Sequence, residues 1–334
     1  MRAALAVTLL MIWVAASRTM ATELLADLPL TYGELERVLR GELVSRTVKR
    51  TLDRDLVVSM TFLTKAPRNR VVRLLSEAGV AHVNPEVAAF GEIQGYGTVE
   101  DFQAVQLGPH GQEEAQRYIS AQGGDTLNLA ASEIAEFNAL AAAGESAPAA
   151  VEAELRQLLL ARHRAYKTQG LVGIAPYARA NGKPHYPAND MRRATDELRV
   201  VKKYLPALYD LLLSYPNRPP LGFRESFFWL NYDVDDRPNL ILTHRMAVPL
   251  GEVYAVVSRQ FYVSHGYDSA QEIAMLIPTP AGTVVFYQNR ASSDPAAGFN
   301  AVMKRALART AMRKDTAGMF NQLRTETEQR EHGQ

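Results

Sequence analysis

Residues 224–290 read RESFFWLNYDVDDRPNLILTHRMAVPLGEVYAVVSRQFYVSHGYDSAQEIAMLIPTPAGTVVFYQNR, and their reading decides the fold. Five runs rich in aromatic and β-branched residues can be marked, at 225–234, 239–248, 252–265, 271–278 and 282–290. Between them stand Asp235-Asp236-Arg237-Pro238, Pro249-Leu250-Gly251, Gly266-Tyr267-Asp268 and Pro280-Ala281-Gly282. Short β-rich runs divided by Gly, Pro and Asp predict an antiparallel meander.

Side chains alternate faces along a strand. In the second run Leu240, Leu242, His244 and Met246 oppose Ile241, Thr243, Arg245 and Ala247. In the third, Ala255, Val257, Arg259, Phe261, Val263 and His265 oppose Tyr254, Val256, Ser258, Gln260, Tyr262 and Ser264. In the fifth, Val284, Phe286, Gln288 and Arg290 oppose Thr283, Val285, Tyr287 and Asn289. A half-buried sheet separates apolar from polar faces; here both faces mix them. The expectation is a sheet covered on one side and curved around a partly polar cavity on the other. Edge strands meeting water would give the same pattern.

A helix should follow. Asp294 suits the N-cap and Pro295 the first helical position. Phe299, Met303, Ala306, Leu307 and Thr310 recur at three- and four-residue spacing, and Phe320 and Leu323 resume it. Lys304, Arg305, Arg309, Arg313 and Lys314 fall largely off that stripe, so the basic face points outward. From 325 to 334 the chain is a polar tail.

Moving outward, the N-terminus has the pattern of an export signal. Met1-Arg2 is followed by an apolar run from Ala3 to Ala16, then by small residues at Ala16, Ser17 and Ala21. The run is short for a membrane span. The expected address is the periplasm or beyond, with cleavage after Ser17 or Ala21 and an uncleaved anchor as the rival. The chain holds no Cys, which excludes a lipid anchor on Cys, thiol nucleophiles, cysteine metal sites and disulfides. Its 334 residues suggest about two domains or one with an insertion, and a net charge of +1 gives no global attraction for nucleic acid.

The division read from the chain is a leader at 1–21, an N-terminal α+β part at 22–111, a helical insertion or cap at 112–222, and strands with the last helix at 223–324. In the first part, Thr31 and Glu34 form a capping box. Strands are expected at 42–50, 55–64, 86–93 and 99–107, and a helix opens at Pro67. In the insertion, helices are expected at 113–121, 131–143, 148–168 and 190–214, the last kinked or divided at Pro206. The loop 170–187 carries Tyr177, Arg179, Lys183 and His185, which could reach a ligand; a solvated surface loop is the plainer reading.

No zinc helix, phosphate-cradling loop or nucleophile elbow is present. Gly95-Tyr96-Gly97 is too short for a dinucleotide fingerprint, and Asp233-Val234-Asp235-Asp236 lacks the glycine and distal glutamate of a calcium loop. The seven histidines show no close metal-ligand spacing, so neither metal nor cofactor is expected. His163, between Arg162 and Arg164, reads as lying on a solvated helix face.

What remains is a polar set on the strand candidates. His244, His265 and Asp268 are the candidate catalytic groups, His265 and Asp268 being placed to orient each other. Arg245, Arg259, Tyr262, Tyr287, Asn289 and Arg290 are the candidate ligand-binding groups, with Tyr267 beside them. A strand arginine is costly to bury unpaired, so it faces an edge, a partner or a polar cavity, where it can hold a carboxylate or phosphate. A satisfied internal ion-pair network gives the same composition.

Antiparallel strands closing on a long C-terminal helix resemble the helix-grip fold of the START-like (SRPBCC) superfamily, over roughly 224–323 with an earlier part in 42–107. The resemblance implies an α+β fold whose curved sheet encloses a cavity for lipids, sterols or similar molecules. The helices of 112–214 are larger than that fold usually carries. The leading expectation is therefore an exported carrier for a hydrophobic or amphipathic small molecule. The alternatives are a periplasmic enzyme using the His/Arg/Tyr set, and an envelope scaffold presenting 112–214 to a protein partner.

Overall fold

The computed structural model describes residues 19–47, 55–76, 87–124, 126–144, 147–234 and 237–293, and Gly318. Residues 1–18 of the expected 1–21 leader, the expected helix after Asp294 and the expected polar tail lie outside these residues, Gly318 apart.

Among the described residues, eight antiparallel strands form one sheet. They are β1 (Val44–Thr47), β2 (Asp55–Thr64), β3 (Val87–Ile93), β4 (Arg224–Val234), β5 (Arg237–Leu250), β6 (Val253–Val263), β7 (Ser269–Thr279) and β8 (Gly282–Ser292). Their order is β1-β2-β8-β7-β6-β5-β4-β3. The five runs of the opening stretch are thus a meander. The N-terminal hairpin flanks it on β8 and β3 flanks it on β4.

The helices are α1 (Met20–Ala26), α2 (Tyr32–Leu39), α3 (Arg68–Ser76), α4 (Gly111–Ile119), α5 (Ala131–Ala142), α6 (Pro148–Gln169), α7 (Pro187–Asp196), α8 (Arg199–Tyr204) and α9 (Pro206–Ser214). Thr31 caps α2 as expected: its hydroxyl accepts from Glu34 N and Glu34 reaches back to Thr31 N at 2.7 Å. Helices α4–α9 all lie in the chain between β3 and β4, two strands that pair with each other. Their apolar side chains, among them Tyr118, Leu155, Leu159, Tyr166, Leu208 and Leu212, share one core with Leu242, Met246, Val257, Met275 and Phe286 of the sheet. Each such buried side chain contributes roughly 1.5–3 kcal/mol. The opposite face, the far face below, meets α3: Val71 and Leu75 pack with Phe62, Val256, Ala274, Leu276, Val285 and Tyr287.

Several local expectations are corrected. The piece at 99–107 is not a strand; a 3-10 turn spans Val99–Phe102. The helix expected at 190–214 is divided at Pro206 as read, and it is also broken after Asp196, which gives α7 to α9. Pro206 opens the last of them, since proline has no N–H to give and fits a helix start. Helix α1 begins at Met20, inside the expected 1–21 leader; it buries Ala21 and Leu24 and is capped by Thr19. A bulge in β6 opposes Leu242–Thr243 to Tyr262 and Gln260, leaving Phe261 as the extra residue. Alternation resets there, so Tyr262 joins the face of Arg259 and Val263 leaves it.

Glycine is required where α6 ends. Gly170 has φ +59°, and a Cβ there would lie 1.8 Å from the Tyr215 carbonyl oxygen. Close approach, not φ, explains Gly91 of β3: a Cβ would meet the Trp229 indole at 2.5 Å. That indole donates to the Asp101 carbonyl at 2.7 Å.

Candidate functional site

Successive residues on a strand face opposite ways, so adjacent polar pairs place one group on each side of the sheet. Four strands carry such a pair at the same level: His244-Arg245, Ser258-Arg259, Gln271-Glu272 and Asn289-Arg290. The register aligns them into two rows. On the helix side the row is His244–Arg259–Gln271–Arg290; on the far face it is Arg245–Ser258–Glu272–Asn289. The candidates from the sequence are thereby divided. His244, Arg259, Tyr262 and Arg290 lie under the helices, while Arg245, Tyr287 and Asn289 lie on the far face.

The helix-side row is tied to its surroundings by charge. Arg290 pairs with Asp55 at 2.8 Å and with Glu197. Asp55, fully buried, also accepts from Arg193 and from Ser292 Oγ at 2.8 Å. Arg193 continues to Asp190 Oδ1 at 2.9 Å. Asp190 Oδ2 lies 2.7 Å from His185 Nε2, and Asp268 Oδ2 lies 3.3 Å from the same nitrogen. Asp268 Oδ1 accepts from Arg179 at 2.6 Å, and Arg179 also donates to Asn128 Oδ1 and the Gly124 carbonyl. One chain of charges thus joins β2, β8, α7, the 177–186 loop and the start of β7.

Arg259 is fully buried and donates to Gln271 Oε1 at 2.8 Å, to Thr195 Oγ1 at 3.3 Å and to the Leu212 carbonyl. Leu212 stands in the last turn of α9, where unpaired carbonyls collect partial negative charge. The guanidinium is thus placed to cap that helix end. His244, also fully buried, joins two groups. Its Nε2 lies 3.0 Å from Glu225 Oε2 and its Nδ1 lies 3.1 Å from the Tyr166 hydroxyl. Burial pushes the imidazole down to about 4, against the pull of Glu225. Burial would raise Glu225, but hydrogen bonds from His244, Tyr215 and Lys167 overcome it and hold the carboxyl at about 2. At neutral pH the neutral ring therefore donates from Nε2 to a carboxylate and accepts the Tyr166 proton at Nδ1. Phe227 stacks on the imidazole at 4.2 Å and Phe261 on the Tyr166 ring at 4.1 Å, fixing both.

His265 is buried, with Nε2 3.2 Å from the Pro238 carbonyl. Asp268 is held by Arg179 and His185, groups from the loop that reads as solvated surface. Of that loop, Tyr177, Arg179 and His185 turn inward and Lys183 is exposed. His163 is likewise buried rather than solvated: it meets the Gly95 carbonyl at 3.1 Å and the edge of Phe227. Arg162 beside it pairs with Glu133 and lies 4.2 Å from the Tyr262 ring centroid.

The far-face row is only partly covered. Arg245, Glu272 and Asn289 are half-buried, and Ser258 is buried. The Arg245 guanidinium stands 4.8 Å from the Phe228 ring centroid; burial lowers its pKa and Glu272 acts against that. Asn289 Nδ2 donates to Glu272 Oε1 at 3.3 Å. Asn289 Oδ1 and, one row along, Thr243 Oγ1 are buried without hydrogen-bond partners among the described residues. Beyond Thr243, Tyr267 donates to Gln260. On the other side the apolar group of Val256, Ala274, Leu276, Val285 and Phe62 continues beneath α3. Glu272, Ser258 and Gln260 were missed by sequence reasoning; the recurrent polar pair on successive strands was the signal that would have found them.

No protein-family model, curated protein or solved structure matches this chain.

Proposed function

We propose that the protein is an exported carrier of an amphipathic small molecule, such as a lipid, held on the far face of the sheet. The observation that carries this is the far-face row itself. A cation, an anion, a hydroxyl and an amide stand in line across four strands, and apolar side chains continue from them under α3. Such a wall suits a molecule with a polar head of donors and acceptors and an apolar body. The two buried oxygens of Thr243 and Asn289 are acceptors for that head.

The segment after β8 completes the site in this reading, in the manner of a helix-grip fold. Strand β8 is flanked by β2 and β7, so both of its edges are already paired. Helices α4–α9 already share the core of one face. Our proposal assigns the apolar stripe expected at 299–323 to the far face beside α3, as the closure of the site.

For export, α1 favours one cleavage point. A cut after Ser17 leaves the Thr19 cap and buried Ala21 in place, whereas a cut after Ala21 removes both. Intact mass of protein from the periplasmic fraction tests this: the expected N-terminus is Arg18, and retention of Met1 would contradict cleavage.

The test of the carrier reading is native mass spectrometry on periplasmic protein, followed by solvent extraction. A reproducible lipid-sized adduct is expected. A bare chain that stays bare when lipid extract is added would overturn the reading. It would move weight to a second one, an acid–base enzyme built on the Glu225–His244–Tyr166 relay, whose carboxylate, imidazole and phenol are linked by bonds of 3.0 and 3.1 Å.

A further inference from the structure

We propose that His185, Asp190 and Asp268 form a site for a first-row divalent cation such as zinc. One nitrogen and two carboxylate oxygens from these residues lie within 4.8 Å of one another. His185 Nε2 is 2.7 Å from Asp190 Oδ2 and 3.3 Å from Asp268 Oδ2. A neutral imidazole carries one hydrogen, which cannot point along both lines. A cation among the three atoms serves them all, with the ring nitrogen as an electron-pair donor.

The surroundings fix these oxygens as an outer shell should. Asp190 gives Oδ1 to Arg193 and Asp268 gives Oδ1 to Arg179, so in both residues Oδ2 is turned to the histidine. The supports are rigid. Asp190 is on α7. His185 is bound through its backbone to Tyr177, N to O in both directions at 2.8 and 2.9 Å. Asp268 N donates to the Ser292 carbonyl at 2.8 Å. The two aspartates are buried, while the His185 ring keeps 11% of its surface exposed, which gives an ion a way in. One nitrogen and two oxygens suit zinc and leave a fourth position.

The charge is consistent with this. Among the described residues, the ion pairs named above set four carboxylates (Asp55, Asp190, Glu197, Asp268) against three guanidiniums (Arg179, Arg193, Arg290). With a neutral imidazole the cluster is at −1; a divalent cation brings it to +1, which an anion at the fourth position balances. The nearby guanidiniums repel the ion, so affinity below that of an all-thiolate site is expected.

The test is calorimetric titration of chelator-treated full-length protein with zinc, alongside elemental analysis. About one zinc per chain is expected in the wild type and in His110→Gln, whose histidine lies on an exposed turn. At least tenfold weaker binding is expected in His185→Gln. No zinc in the wild type, or equal affinity in His185→Gln, would overturn the proposal and leave a plain ion-pair chain. If His185→Gln does not fold, cobalt decides on the wild type: visible bands of a low-symmetry N/O site support it, and the spectrum of free aqueous cobalt sinks it.

Discussion

The two polar rows cross the same level of one sheet, yet the structure treats them oppositely. On the helix side, Arg290 and its chain of partners reach from β2 to the 177–186 loop, and Arg259 closes the end of α9. On the far face, Arg245 and Glu272 keep part of their surface, and two oxygens beside them lack protein partners among the described residues. Residue type alone does not separate these cases, since each row has an arginine in a strand. What separates them is the number of elements that bring acceptors to the same point.

The comparison can be broken most severely at Asp55. Asp55→Ala strips Arg290 and Arg193 of a fully buried partner, and removing one side of such a pair costs about 3–5 kcal/mol. Urea unfolding should show that loss, or no folded protein. A near-neutral effect would mean that the helix-side row is not structural.

Acid is the next lever, and it acts on the helix side through His244. Its folded pKa of about 4 lies below the ordinary 6.5, so the unfolded chain binds the proton better. Stability is then complete above pH 6.5 and falls as the pH drops towards 4, by roughly 3 kcal/mol. Glu225, held at about 2 against an ordinary 4.5, adds a further loss below pH 4.5. Melting curves across this range should slope accordingly, and His244→Gln should flatten the part between 6.5 and 4.

Far-face changes should cost less. Asn289→Leu removes a buried oxygen without a described partner and should stay within about 1 kcal/mol of wild type. A loss as large as that of Asp55→Ala would show that this row is as deeply built in as the other.

The smallest effect belongs to a pair that looks equally tight. Lys203 and Asp27 approach to 2.6 Å, the same length as Arg179–Asp268, but their side chains are 62% and 45% exposed. Lys203→Ala should leave the unfolding midpoint unchanged within error, because exposed pairs are weak.

Much of this was legible in the chain. The Gly, Pro and Asp breakers placed all five strands of the meander, and the face assignments of β5 and β8 stand as read. The β6 assignment failed past Gln260 because Phe261, Tyr262 and Val263 are all apolar-bodied, so one extra residue leaves no trace in the alternation. The buried loop was illegible for another reason: Arg179 and His185 are placed by Asp268 and Asn128, distant in sequence. Helix α1 was hidden because its first turn falls within the stretch read as a 1–21 leader. The break after α7 was hidden too, since Glu197 turns to an arginine on β8.

The most direct measurement sets the two rows against each other through bound ligand. Native mass spectrometry of Arg245→Leu should show a folded protein, melting close to wild type, that has lost the lipid-sized adduct carried by the parent. An adduct retained at parental occupancy, or a variant that unfolds as Asp55→Ala does, would contradict the assignment of the far face as the ligand site.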